Sequence, residues 1–106
     1  MRYSIEKVTT LIGARRIGEA DANIGWLLTD SRSLCFPEET LFFALRSERN
    51  DGHKYICELY RRGVRNFVVS RVPDNLEDYA GANFLKVVDT LEALQRLAER
   101  HRDEFG

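Results

Sequence analysis

Two short polar stretches, "TDSR" at Thr29–Arg32 and "RSERNDGH" at Arg46–His53, gather the groups in this sequence that can do chemistry. Ser31 offers a hydroxyl, Arg32, Arg46 and Arg49 offer charge-assisted donors, and Asn50 offers an amide matched to a base or sugar edge. The guanidinium fork suits phosphate or carboxylate, so the set is one for binding an anionic, polar ligand. His53 has no nucleophile beside it in the sequence, which leaves it without a catalytic role. Asp51 to His53 also fit the start of a helix, whose free N–H groups favour an anion such as a diphosphate. A turn-only reading stays open, in which Asp30 and Ser31 build a turn, Asp51 caps and Gly52 relieves crowding.

The rest of the chain excludes more than it offers. No GxxxxGK[ST] loop and no GxGxxG occurs, so neither ATP nor a dinucleotide has its usual cradle. HExxH and GxSxG are absent, and no catalytic residue or metal ligand is expected. Cys35 and Cys57 lack CxxC spacing, which disfavours zinc and a disulfide framework and fits a reduced, cytoplasmic setting. The 16 basic and 17 acidic residues leave a net charge of -1, without the basic excess of a nucleic-acid surface. The start "MRYSIEKVTT" has no apolar signal region, and no run of about 18 apolar residues suggests membrane insertion.

A chain of 106 residues fits one domain. Ser4 as cap, Ile5, Val8, Leu11 and Ile12 on one face, and Gly13 as stop predict a helix over 5–12. "ARRIGE" and "IGWLLTDSR" read as short strands around a turn at Asp21–Asn23, and "LCFPEET" as a loop. "LFFAL" is an apolar run that suits a strand covered on both faces, followed by a helix from Asp51 to Gly63 and the strand "NFVVS". That strand-helix-strand unit predicts a parallel pair. "VPDNLEDYAGA" reads as loop with one helical turn, and "NFLKVVD" as a further strand. Asp89 and Glu92 open the last helix, whose apolar face is expected at Leu91, Leu94, Ala98, His101 and Phe105. Trp26 and the Phe42-Phe43 pair read as core, and Arg61, Arg62 and Arg65 as a solvated helix end. The expected fold is α/β, with a mixed, mainly parallel sheet flanked by helices. Both polar stretches then follow strands, where open α/β sheets form their ligand crevice.

In order, "TDSR", "LFFAL", "NDGHKYI" and "RRGVRNFVVS" resemble the N-terminal domain of the Mur ligases, ATP-dependent amino-acid-adding enzymes of peptidoglycan synthesis. The likeness runs from Ile5 to Phe105. It is nearest to the branch that adds D-alanyl-D-alanine, including forms fused to an alanine racemase; the branch adding the third peptide residue is the alternative. The resemblance implies a domain that holds the uridine diphosphate end of a UDP-N-acetylmuramoyl-peptide. Central and C-terminal domains in cis would bind ATP, Mg2+ and the incoming amino acid or dipeptide, so residues 1–106 are expected to be a piece of a longer ligase, inactive alone.

By the same resemblance, Ser31, Ser47, Glu48, Arg49 and Asn50 line the uridine and diphosphate site, and Arg32, Asp51 and His53 support the loops. Two positions depart from the family pattern, Glu39 and Ser47, where relatives usually carry Gly. Loss of Gly restricts the backbone to mostly negative φ and implies a different loop path. Glu48 sets an acid near the expected diphosphate, which calls for a partner in Arg46 or Arg49. A reading from another class is an interaction domain whose Arg61–Arg65 face binds an acidic partner.

Overall fold

The computed structural model describes residues 2–105, with side chains described through residue 100. Strand β1, Tyr3–Ser4, leads directly into helix α1, Ile5–Ile12. The Ser4 side chain accepts the Lys7 amide at the start of α1, and Gly13, at φ 65°, closes it with its own N–H on Thr10 and Thr9 carbonyls. Both ends of this helix therefore carry the caps that the sequence predicts.

Beyond α1 the chain forms β2 (Arg15–Ile17), β3 (Asn23–Ile24), β4 (Trp26–Leu28), β5 (Thr40–Phe43), β6 (Asn66–Val69) and β7 (Asn83–Lys86). The strands β2, β7, β6, β5 and β4 make one sheet in that order. β4 to β7 are parallel neighbours, and β2 runs antiparallel to β7. Among the described residues β3 pairs only with β1, in a separate antiparallel ribbon. The two strands expected around the Asp21–Asn23 turn thus lie at opposite edges of the sheet, because the ribbon carries the chain across it.

All four residues of β5 are buried, as are all four of β6. Side chains alternate across the sheet, so Leu41, Phe43, Val68 and Leu85 pack on one face with Ile5, Val8 and Ile12 of α1. Phe42, Phe67, Val69 and Phe84 take the other face with Ile56 and Leu59 of helix α2, Ile56–Arg61. Burial of each such side chain stabilises the fold by about 1.5–3 kcal/mol, which is why short strands suffice here. The expected mixed, mainly parallel sheet with helices on both faces is what forms.

Three details differ from expectation. The helix after Asp51 begins as a 3-10 turn, Gly52–Tyr55, and only then becomes α-helical. Trp26 is not core: it is 49% exposed on edge strand β4 and stacks on Phe36 at 5.2 Å between ring centroids. In the last helix, α3 (Thr90–Phe105), Ala93 and Leu97 are buried and Leu94 packs partly, while Leu91 is 50% exposed and Ala98 is exposed. Thr90 sets this rotation, since its buried Oγ1 donates to the Ala44 carbonyl at 2.9 Å and turns the Ala93-Leu97 stripe inward. The His101 and Phe105 side chains lie outside the described residues.

Candidate functional site

Because β4 and β5 are parallel, the loops that leave their carboxyl ends emerge on the same edge of the sheet. The first is "TDSR". Asp30, in extended backbone, accepts the Arg32 amide and opens a 3-10 turn at Ser31–Ser33. Its carboxylate also holds Arg32 Nη2 at 2.8 Å. The Arg32 guanidinium lowers the Asp30 pKa, and Asp30 raises that of Arg32. From the end of α2, Arg62 Nη1 donates to the Ser31 carbonyl at 2.8 Å and pins the turn to the helix.

The second loop folds back on itself. Arg46 and Asp51 form an antiparallel bridge, and Ser47 N donates to the Asn50 carbonyl at 2.7 Å, so Ser47 to Asn50 make a tight exposed tip. No non-glycine residue among the described residues has positive φ, so Ser47 needs no left-handed backbone. Gly52 is required for a different reason. A Cβ there would lie 2.9 Å from Leu45 N and 3.0 Å from Ala44 Cα, backbone that cannot give way. The Gly52 amide in turn donates to the Leu45 carbonyl at 2.7 Å, sealing the base of the loop.

Asp51 and His53 hold this loop from behind. Asp51 Oδ1 accepts the His53 amide at 3.0 Å and meets His53 Nδ1 at 2.6 Å, while Oδ2 meets Arg71 Nη2 at 2.7 Å. Burial alone would raise the Asp51 pKa, but the His53 amide, the His53 ring and Arg71 outweigh it and hold the carboxyl below the usual range. His53 Nε2 faces the Ser70 amide at 3.0 Å and the Ser70 hydroxyl at 3.3 Å. An amide can only donate, so Nε2 is the acceptor and Nδ1 carries the proton toward Asp51.

The fold therefore supplies what the sequence lacks beside His53, a serine, in a Ser70-His53-Asp51 arrangement. The arrangement positions rather than reacts. The Ser70 amide already occupies the lone pair a base would use, and the His53 side chain is only 5% exposed.

Between the two loops lies an open cavity of about 480 Å3, lined by Thr29, Asp30, Ser31, Arg32, Asn50 and Tyr55. The structure thus brings together Ser31, Arg32 and Asn50. Ser47, Glu48 and Arg49 stand on the exposed tip and do not line the cavity, and Asp51 and His53 lie behind it. Glu48 makes no ion pair with Arg46 or Arg49 among the described residues. Tyr55 was not marked by spacing, since its neighbours read as an ordinary helix start; an aromatic two residues beyond His53, on the turn facing "TDSR", is the signal. Arg62 and Arg65 are engaged by their own chain: Arg65 Nη1 donates to the Tyr60 carbonyl at 2.7 Å and its guanidinium lies 3.9 Å from the Tyr60 ring centroid. That takes two of the three cations from the expected acidic-partner face.

Among the described residues no group of three His, Cys, Asp or Glu is placed to hold a metal ion. The sequence likewise carries no GxxxxGK[ST] loop. No helix of the described residues is long and apolar enough to cross a membrane.

Comparison with known proteins gives this crevice its family. The family model described as "Mur ligase family, catalytic domain" matches residues 24–102. The UDP-N-acetylmuramoyl-tripeptide--D-alanyl-D-alanine ligase of Bacillus subtilis is 38% identical over 79 residues, covering 74% of this chain and 16% of the relative. The enzyme of the same name from Synechocystis is 39% identical over 85 residues, covering 80% of this chain and 18% of the relative. A solved UDP-N-acetylmuramoylalanyl-D-glutamyl-2,6-diaminopimelate--D-alanyl-D-alanyl ligase from Acinetobacter baumannii superposes with a TM-score of 0.79 at 25% identity, covering 98% of this chain and 22% of that one. The chain spans about a fifth of the length of these relatives, 16% to 22%. With both loops, the parallel sheet and the family model in agreement, the chain belongs to the Mur ligase family.

Proposed function

We propose that this chain is the N-terminal, substrate-anchoring domain of an ATP-dependent ligase that adds D-alanyl-D-alanine to a UDP-N-acetylmuramoyl-peptide. The observation that carries the reading is the cavity of about 480 Å3 between the "TDSR" and Arg46–Asp51 loops, at the carboxyl edge of a parallel sheet. Ser31 and Asn50 offer a hydroxyl and an amide to the uridine; Arg32, whose Nε and Nη2 are held by Asp30, turns Nη1 to the diphosphate, and Tyr55 walls the cavity. Ser47, Glu48 and Arg49 reach the ligand from the tip when it extends past the cavity mouth. Asp51 and His53 fix the loop.

The chemistry of the whole enzyme, carboxylate activation as an acyl phosphate and attack by the dipeptide amine, belongs in this reading to central and C-terminal domains that bind ATP and Mg2+. This domain contributes position. Holding the nucleotide end of a long substrate converts the encounter of its distant carboxylate with the other reactants into a local event. The D-alanyl-D-alanine branch is preferred because relatives at 38% and 39% identity both carry that name. Free, exposed Cys35 and Cys57 are in keeping with a reduced, cytoplasmic setting.

The test is a titration of the isotope-labelled chain with UDP-N-acetylmuramoyl-tripeptide, read by amide chemical shifts. Saturable shifts at Ser31, Asn50 and Tyr55 and through residues 47–53 are expected, with loss of affinity in Ser31→Ala and Asn50→Ala. Unmoved amides there at saturating ligand would end the anchoring reading.

A further inference from the structure

A second cavity, of about 780 Å3, lies at the other end of the sheet, among Asn66, Asn83, Glu38 and Asp21 and the start of α1. Asn66 and Asn83 open β6 and β7 side by side in register, and each is only 1% exposed. Their amides are oriented by their neighbours. Asn83 Nδ2 donates to the Ala20 carbonyl at 2.8 Å and Asn83 Oδ1 faces Arg16 Nε at 3.3 Å, so this amide cannot be reversed without setting donor against donor. Asn83 Nδ2 also donates to Asn66 Oδ1 at 3.0 Å, which turns the Asn66 Nδ2 group away from it. Asn66 Nδ2 is buried and has no partner. Buried amide donors in native folds find an acceptor, protein or otherwise, and the residue that carries this one lines a cavity.

The charges around the cavity narrow the occupant. Glu39 is held by Arg2, and Glu6 lies 4.0 Å from Arg16. Asp21 and Glu38 are exposed and make no ion pair among the described residues, and Arg65, which also lines the cavity, donates to the Tyr60 and Val64 carbonyls rather than to a carboxylate. A simple anion would suit Asn66 and Arg65 but face two unpaired carboxylates. A simple cation would suit the carboxylates and leave the buried amide unpartnered. A molecule that carries both groups answers both.

We propose that this cavity binds a small zwitterion of the amino-acid class, with its ammonium toward Asp21 and Glu38 and an oxygen accepting from Asn66 Nδ2. The site is separate from the nucleotide crevice, which follows β4 and β5 at the opposite edge of the same sheet, and does not depend on what the crevice holds.

The experiment uses glycine as probe and the Asn66 side-chain amide signals as readout. Glycine is expected to shift them saturably with a Kd of about 1–10 mM. Methylammonium and acetate, each carrying half of the pattern, should bind at least about tenfold more weakly, a loss of about 1.4 kcal/mol. Asp21→Asn and Glu38→Gln, both at exposed positions that leave the core intact, should weaken glycine several-fold without changing the shifts that UDP-N-acetylmuramoyl-tripeptide causes at Ser31 and Asn50. An Asn66 amide that stays unmoved by glycine and exchanges only with water overturns the proposal. So does methylammonium binding equal to that of glycine, or glycine binding indifferent to both substitutions.

Discussion

Replacing Asp51 with Ala removes three contacts at once, and the structure assigns each a magnitude. Loss of the cap on the His53 amide, 3.0 Å long, costs about 1 kcal/mol. The His53 Nδ1–H then has no acceptor, and with the ring 5% exposed water cannot replace it freely, which costs about 1–3 kcal/mol more. The Arg71 pair adds less than about 1 kcal/mol, because Arg71 is 58% exposed. Asp51→Ala should therefore destabilise the domain by about 2–5 kcal/mol, read as a lower urea midpoint at unchanged slope. The pH dependence has a fixed sign. The Asp51 pKa is depressed in the folded state, so its contribution is fully present above the unfolded value of about 3.9 and fades as pH falls through the folded value. The gap between native and Asp51→Ala midpoints should be flat above about pH 5 and narrow in acid. A loss under about 1 kcal/mol, or a gap that widens on acidification, would refute the assignment of Asp51 and His53 as the fixing pair.

Three further outcomes follow from the geometry. Gly52→Ala forces a methyl against Ala44 and Leu45 backbone at 2.9 to 3.0 Å, and should cost about 1–3 kcal/mol in denaturant unfolding while displacing the Arg46–Asp51 loop. Thr90→Val leaves the buried Ala44 carbonyl without its donor and should cost about 1–2 kcal/mol, with α3 amides exchanging faster. Arg62→Ala frees the Ser31 carbonyl; the global stability should fall by under about 1 kcal/mol, while hydrogen exchange at Arg32 and Ser33 rises.

What could be read from the residues beforehand was whatever depends on local chemistry. Ser4 and Gly13 bound α1 because caps are decided by neighbours in sequence, β5 announced itself as a strand buried on both faces, and β6 as a strand. The rotation of α3 was not legible: Leu91, Leu94 and Ala98 make as good an apolar stripe as Ala93 and Leu97, and only the bond from Thr90 to Ala44, far off in sequence, selects between them. Trp26 was misread because size suggests burial, whereas edge strand β4 leaves it open to solvent against Phe36. Of the candidate site, Ser31, Arg32 and Asn50 come together as their loops' positions after parallel strands required. Tyr55, Ser70 and Arg62 enter it only through tertiary contacts, which spacing does not encode.

The wiring of the sheet gives its two ends different histories. Both walls of the crevice between the two loops belong to one continuous stretch, from β4 through the start of α2, in which strands adjacent in space follow one another in sequence. Its contacts close short loops. The cavity at the other end needs Asp21 and α1 brought beside Asn66 and Asn83, and β2, far earlier in the chain, laid against β7. Closing that span loses more chain entropy before any contact compensates, so it belongs to the late, slow part of assembly. A chain caught before β2 docks would already hold the crevice loops in register, and would have no second cavity at all.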